Sequence, residues 1–320
     1  LRFGVIGVGY FGRHYVRLLQ EIEGAELVGI FTQSEKEVEG LSSQIRRYAS
    51  ADDLIADPLI NCVVIATPVS THADLAIAAL ERGKHVLLEK PIAGSLKDAE
   101  RIAQTVRASG RTFMIGHQYC YNDYIRQLKK EIENQTIGQI TYLFAQHLYA
   151  GPVRLDIGCF WETATHELAI IDYLFPEIKP KAVSSQILDI SGSGRDDATT
   201  ALISFDNGLT ATIVTSWFAP QKVRRMLFTG TNGMAVFDEK EEHPLVVTKY
   251  PYPAGESPET HTSHFFDMNS AERIAPVVRT EPLRNQVMHF MECIREKKEP
   301  LTGIDHALRV TRLLDMVVSG

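Results

Sequence analysis

The chain has 320 residues, 44% of them apolar, which is enough to bury the cores of about two domains. Its formal charge of -7 is spread along the sequence without a basic stripe, which argues against a nucleic-acid groove or an anionic membrane surface as partner. No apolar run approaches the roughly 20 residues that span a bilayer, and the first residues read as a strand, not a charged leader, so a cytoplasmic protein is expected.

The chain opens on Phe3-Gly-Val-Ile-Gly-Val-Gly-Tyr-Phe-Gly12, an apolar run that enters Gly7-x-Gly9-x-x-Gly12 and then a helical face of Val16, Leu18, Leu19 and Ile22. This is a dinucleotide pattern. Gly7 makes the tight turn, Gly9 admits a pyrophosphate where a Cβ would stand, and Gly12 allows close helix–sheet packing. The N–H groups at the helix start, from Tyr10 and Phe11 onward, would hold the phosphates.

Strand patterns follow at 25–31, 61–66, 85–88 and 112–115, with helical patterns at 74–82 and 98–108 between them. Such βαβ alternation predicts a doubly wound parallel sheet, an α/β Rossmann domain over residues 1–120. Beyond residue 139 the period changes. Runs at 139–147, 181–190, 198–205, 209–217 and 222–229 alternate apolar with polar residues and are joined by turns such as Asp206-Asn-Gly208. They predict an α+β domain over 121–320 with a large, mostly antiparallel open sheet. A helix at 162–175 would cover one face, and the other face is expected to join copies into a homodimer or homotetramer. Residues 251–281 read as a long loop. Helical patterns at 283–297 and 306–318 close the chain, and these last helices can pack back on the first domain.

Two places carry candidate chemistry. The strand pattern at 85–88 ends at Glu89-Lys90-Pro91, which puts a lysine at the carboxyl edge of a parallel sheet, where open α/β folds bind ligands; a solvated surface lysine is the plain alternative. In Trp161-Glu-Thr-Ala-Thr-His166, Glu162 and His166 are four residues apart and share a helical face, so the carboxylate can orient an imidazole suited to proton transfer. The alternative is an ordinary helix pair. His261 and His264 have a His-x-x-His spacing but no accompanying carboxylate or cysteine cluster, and no metal site is expected. Cys62, Cys120, Cys159 and Cys293 include no Cys-x-x-Cys pair and read as packing thiols.

These motifs, in their order, resemble the Gfo/Idh/MocA oxidoreductases: the glycine loop, Ala66-Thr67-Pro68 with His72, Glu89-Lys90-Pro91, Gly116-His117-Gln118 and Trp161-Glu-Thr-Ala-Thr-His166-Glu-Leu. The resemblance spans nearly the whole chain. Gly116-His-Gln-Tyr-Cys-Tyr121-Asn122 and Gly151-Pro-Val-Arg154 are most similar to the branch containing nucleotide-sugar 3-dehydrogenases. It implies hydride transfer between a nicotinamide cofactor and a ring carbon of a sugar, cyclitol or nucleotide sugar, with Lys90, His166 and Glu162 catalytic. Substrate contacts would come from Lys90, His117, Tyr121, Asn122, Arg154 and His166, although Tyr121 and Asn122 can instead cap the following helix. The cofactor would meet Gly7, Gly9, Tyr10, Phe11, Gly12, Thr32, Gln33, Ser34, Thr67, Pro68, His72, Glu89 and Lys90. The family's usual aspartates in the histidine helix are replaced here by Glu162 and Ala169.

Thr32-Gln33-Ser34 has no carboxylate to repel a ribose 2′-phosphate, so NADP is expected ahead of NAD, while hydrogen bonds from Thr32 and Gln33 to the ribose would admit either. Two other readings compete with the dehydrogenase: a glycoside hydrolase or lyase that holds NAD for a transient oxidation, and a non-catalytic NAD(P) sensor.

Overall fold

A computed structural model describes residues 1–33, 41–176, 178–249, 272–274 and 279–319. It divides into two compact units, Leu1–Gln118 with Glu281–Asp315, and Tyr119–Thr280 with Met316–Gly320. The second unit begins at Tyr119, and Glu281–Asp315 near the chain's end belongs to the first unit.

In the first unit, β1 (Arg2–Ile6), β2 (Glu26–Phe31), β3 (Arg46–Arg47), β4 (Cys62–Ile65), β5 (His85–Leu88) and β6 (Phe113–Ile115) lie in the order β3-β2-β1-β4-β5-β6. Every neighbouring pair is parallel. The crossovers are α1 (Gly12–Glu21), α2 (Ala51–Ala56), α3 (His72–Glu81) and α4 (Leu96–Ser109). Strands covered on both faces must be apolar throughout, and β4 is buried at all its positions. Ile6, Ile65, Leu88 and Ile115 pack with Ala76, Ile102 and, from the returning segment, Ile304 and Ala307. On β1 the alternate residue Phe3 meets Phe290 of that segment, ring centroids 6.4 Å apart. Each such buried side chain contributes roughly 1.5–3 kcal/mol. Helix α4 starts where Ser95 accepts from the Asp98 N–H and stops at Gly110, which takes a left-handed conformation at φ 60°. Neither β3 nor α2 is foreseen, because their two and six residues are too short to show a period.

In the second unit, α5 (Asp123–Glu133) precedes β7 (Ile140–Ala150), and α6 (Cys159–Thr163) and α7 (Thr165–Leu174) follow it. Next come β8 (Pro180–Leu188), β9 (Ala198–Phe205), β10 (Thr210–Ser216), β11 (Phe218–Gly230), β12 (Gly233–Asp238), β13 (Leu245–Lys249) and β14 (Glu272–Arg273). These build an eight-stranded sheet in the order β14-β13-β12-β11-β7-β10-β9-β8. Only β7 and β10 run parallel; the other pairs are antiparallel. β10 and β12 alternate between buried and partly exposed positions, as a sheet with one covered face requires. The chain closes with α8 (Pro282–Glu296) and α9 (Ile304–Ser319).

The single helix expected at 162–175 is two helices joined at Ala164. The Thr163 hydroxyl donates to the Cys159 carbonyl one turn back, a bond that competes with the helical ladder and bends it. Asp196 anchors the start of α6, its carboxylate accepting from the Phe160 N–H at 2.6 Å. Most of the loop expected at 251–281 lies outside the described residues, as do Ser34, His261 and His264. Among the described residues no helix is long and apolar enough to cross a membrane, and no group of three or more His, Cys, Asp or Glu could hold a metal.

Candidate active site

The first unit gathers its chemistry at the carboxyl ends of adjacent strands. β1 runs into Gly7, whose φ of +88° disfavours any other residue. A Cβ at Gly12 would run into the Gly7 carbonyl, whereas a Cβ at Gly9 would meet nothing within 4 Å. One glycine is required by packing and the other opens the backbone to solvent. Helix α1 begins without a side-chain cap and without an acidic residue in its first turn. Its positive end is left for an anion. These residues fit a dinucleotide: the loop from Gly7 to Gly12 would hold the pyrophosphate, with Thr67 and Pro68 after β4 and Lys90 after β5 alongside it. Tyr10 is 74% exposed at the loop's outer edge.

Beneath this loop lies a buried polar chain. The Tyr15 hydroxyl donates to Glu89 Oε1 at 2.5 Å and accepts from Gln286 Nε2 at 2.9 Å, and the Lys90 N–H donates to Glu89 Oε2 at 3.1 Å. Burial holds the Glu89 carboxyl above the usual carboxylate range, against the pull of the Tyr15 bond and of Lys90. Glu89 thus braces the backbone at Lys90. Gly116 belongs to the same brace, since a Cβ there would come 2.8 Å from Glu89 Oε1. Lys90 is partly buried, and the Lys90–Pro91 peptide is cis.

Two histidines expected near the ligands are built into the scaffold. His72, 1% exposed, sets Nδ1 2.8 Å from the Pro91 carbonyl and Nε2 2.9 Å from the Thr67 carbonyl. It ties together the loops after β4 and β5. His117 is buried with Nδ1 2.8 Å from His306 Nε2. Burial first, and then the charges of His306 and Lys90, hold its pKa well below the ordinary histidine value. Thr302 steadies the same strand end, its hydroxyl donating to the Ile115 carbonyl at 2.8 Å.

In the second unit His166 stands in the first turn of α7 and is 6% exposed. Its ring lies nearly parallel to His147 of β7, centroids 5.9 Å apart at 20°, and meets Tyr119 edge-on at 5.0 Å. His147 Nδ1 is 2.9 Å from Glu167 Oε1, and Arg224 Nε donates to His147 Nε2 at 3.0 Å. Arg224 also donates to the Tyr119 hydroxyl at 2.9 Å and to Glu239 Oε2 at 3.1 Å. Two residues along β7, the Tyr149 hydroxyl accepts from Trp217 Nε1 at 2.8 Å and reaches Glu162 Oε2 at 3.4 Å. Burial, with Glu162 nearby, pushes the Tyr149 phenol above its usual range. Sequence reasoning named neither His147, Glu167, Arg224 nor Tyr149. The period-2 alternation of β7 placed His147 and Tyr149 on one face, but nothing in the sequence says that this face lies under α6 and α7.

The remaining expected contacts fall differently. Tyr121 is fully buried with the Arg126 guanidinium over its ring, and Asn122 Oδ1 caps α5 by accepting from the Tyr124 and Ile125 N–H groups. These are packing and capping roles. Arg154 makes a two-bond pair with Asp156 at 3.0 and 2.7 Å, and those hydrogen bonds raise its pKa. Thr32 and Gln33 follow β2, the first half-buried and the second exposed.

The oxidoreductase family whose N-terminal part is described as an NAD-binding Rossmann fold matches residues 1–117, and the GFO/IDH/MocA C-terminal domain matches residues 125–236. The chain is 26% identical to scyllo-inositol 2-dehydrogenase (NAD(+)) of Bacillus subtilis, over 97% of this chain and 91% of that one. It is 27% identical to 2,7-anhydro-N-acetylneuraminate hydratase of Escherichia coli, over 75% of this chain and 68% of that one. Its fold is similar to UDP-N-acetylglucosamine 3-dehydrogenase GnnA from Acidithiobacillus ferrooxidans, with a TM-score of 0.81 at 23% identity, covering 99% and 96% of the two chains.

Proposed function

Because the chain belongs to the Gfo/Idh/MocA oxidoreductases, enzymes of the NAD-binding Rossmann type, we propose that it oxidises a secondary alcohol of a sugar, cyclitol or nucleotide sugar. The observation that carries this reading is the glycine loop, sterically required at Gly7 and Gly12 and open at Gly9, with Lys90 at the end of β5, two strands along the same sheet. The nicotinamide, when bound, supplies the acceptor for the hydride leaving the alcohol carbon. His166, as the neutral imidazole, takes the hydroxyl proton, which contributes about 10²–10⁴ in rate. The Lys90 ammonium stabilises the developing alkoxide, and loss of such a group costs about 10²–10³ in turnover. The brace of Tyr15 and Glu89 keeps the Lys90 backbone in place while its ammonium acts. NADP is favoured over NAD by the absence of a carboxylate in Thr32-Gln33-Ser34.

The test is to incubate the protein with NAD or NADP and a panel of free and nucleotide-linked sugars and cyclitols, following the absorbance of reduced nicotinamide. A signal with one alcohol and one cofactor supports the dehydrogenase. The likeness to the hydratase favours a second reading, transient oxidation with tightly held cofactor. That reading predicts substrate consumption with no net reduced nicotinamide.

A further inference from the structure

The polar bed beneath α7 has a defined handedness of donors and acceptors. Arg224 lies directly opposite His147 in the β7–β11 pairing, so its guanidinium meets the imidazole across one rung of the sheet. Arg224 Nε can only donate, so His147 Nε2 must offer its lone pair, and the ring's proton then sits on Nδ1, facing Glu167 Oε1 at 2.9 Å. Both polar ends of the ring are thus fixed by charged partners of opposite sign. Glu167 is 5% exposed, and among the described residues its second oxygen, Oε2, has no hydrogen-bond partner, so His147 is the hydrogen-bond partner of this buried carboxylate.

We propose that His147 is a positioning residue for His166: a ring locked in the Nδ1–H tautomer, stacked on the catalytic imidazole, that fixes its plane and cannot take its proton. The inference deepens the dehydrogenase reading and rests on it. An imidazole free at Nε2 beside His166 would compete for the hydroxyl proton; one whose Nε2 is occupied by a guanidinium N–H does not. The face of a neutral ring polarised by a carboxylate also favours a cation stacked upon it, which supports His166 once it is protonated. The other titratable or charged groups of the second unit around this pair are Tyr119 at the edge of His166, Glu167 on α7, Glu162 on α6, Tyr149 on β7, and Arg224 with Glu239.

The experiment uses the full chain labelled with nitrogen-15 at histidine, whose ring nitrogens report tautomer and charge separately. The His147 and His166 signals are assigned by their loss in His147→Gln and His166→Gln. In the parent protein His147 should show a protonated Nδ1 and a lone pair at Nε2. In Arg224→Gln, which leaves the imidazole in place, that tautomer should no longer be exclusive. The His166 titration should move to lower pH by about half a unit or more in His147→Gln, because a favourable face is lost. With an active substrate, kcat of His147→Gln should fall about tenfold and its pH profile should move with the His166 titration, while dinucleotide affinity stays within about twofold. An Nε2–H tautomer in the parent, or a His166 titration unmoved by His147→Gln, overturns the proposal. The ring signals need no turnover, so failure to oxidise any sugar counts against the dehydrogenase reading without obscuring this one.

Discussion

The two halves of the chemistry are built from different materials. The dinucleotide cradle of the first unit is backbone: a glycine at positive φ, a glycine with open space, an uncapped helix start, and two carbonyls tied by His72. The bed under His166 in the second unit is side chain. Glu167, His147, Arg224 and Tyr119 come from four separate segments and meet through hydrogen bonds and ring contacts. A cradle made of backbone fails where a Cβ would meet a carbonyl, as at Gly12; a bed made of side chains fails one bond at a time.

The largest effect that sharpens this contrast is expected at the side-chain half. His166→Ala should lower kcat by about 10²–10⁴ while dinucleotide affinity, measured by fluorescence titration, is unchanged. The converse lies in the backbone half. Gly12→Val must displace the Gly7 carbonyl, and it should weaken dinucleotide binding about 5–150-fold, as overpacking of about 1–3 kcal/mol implies. A tight-binding Gly12→Val would break the contrast outright.

A smaller effect is expected in the brace. Tyr15→Phe removes one hydrogen bond from buried Glu89 and leaves Gln286 Nε2 without its acceptor, so urea melts should show a loss of about 1–3 kcal/mol. The loss should also depend on pH. The Glu89 carboxyl is raised above its unfolded value, so the folded state binds this proton more tightly than the unfolded chain does. Its contribution is complete below the unfolded pKa and is lost as pH rises through the folded one. Because the phenol supports the ionised carboxylate, Tyr15→Phe should cost more stability above that window than below it. Smallest of all, Arg154→Ala breaks a pair whose side chains are 35% and 32% exposed, and thermal melts should shift by less than the equivalent of about 0.5 kcal/mol.

The same contrast explains what could be read in advance. Glycine spacing, strand ends and βαβ alternation are local in sequence, so the first unit's sheet and the positions of Gly7, Gly12 and Lys90 were legible. His166 was legible through its motif. Its surroundings were not, since Arg224 meets His147 only through the pairing of β11 with β7, a register that no local pattern encodes. The break of the expected 162–175 helix at Ala164, beside the Thr163 bond to the Cys159 carbonyl, and the Asp196 cap at the start of α6 are equally invisible to periodicity. His72, His117 and Tyr121 lie in motifs beside the site and are buried, with His72 bonded to two loop carbonyls and His117 to His306.

The most direct measurement is single-turnover hydride transfer with the best alcohol of the panel, comparing the parent with the Lys90→Ala/His166→Ala double variant and measuring the dinucleotide Kd on the same samples. The account predicts no detectable reduced nicotinamide from the double variant, although that variant still binds the dinucleotide. Hydride transfer at the parent rate without Lys90 and His166 would contradict it.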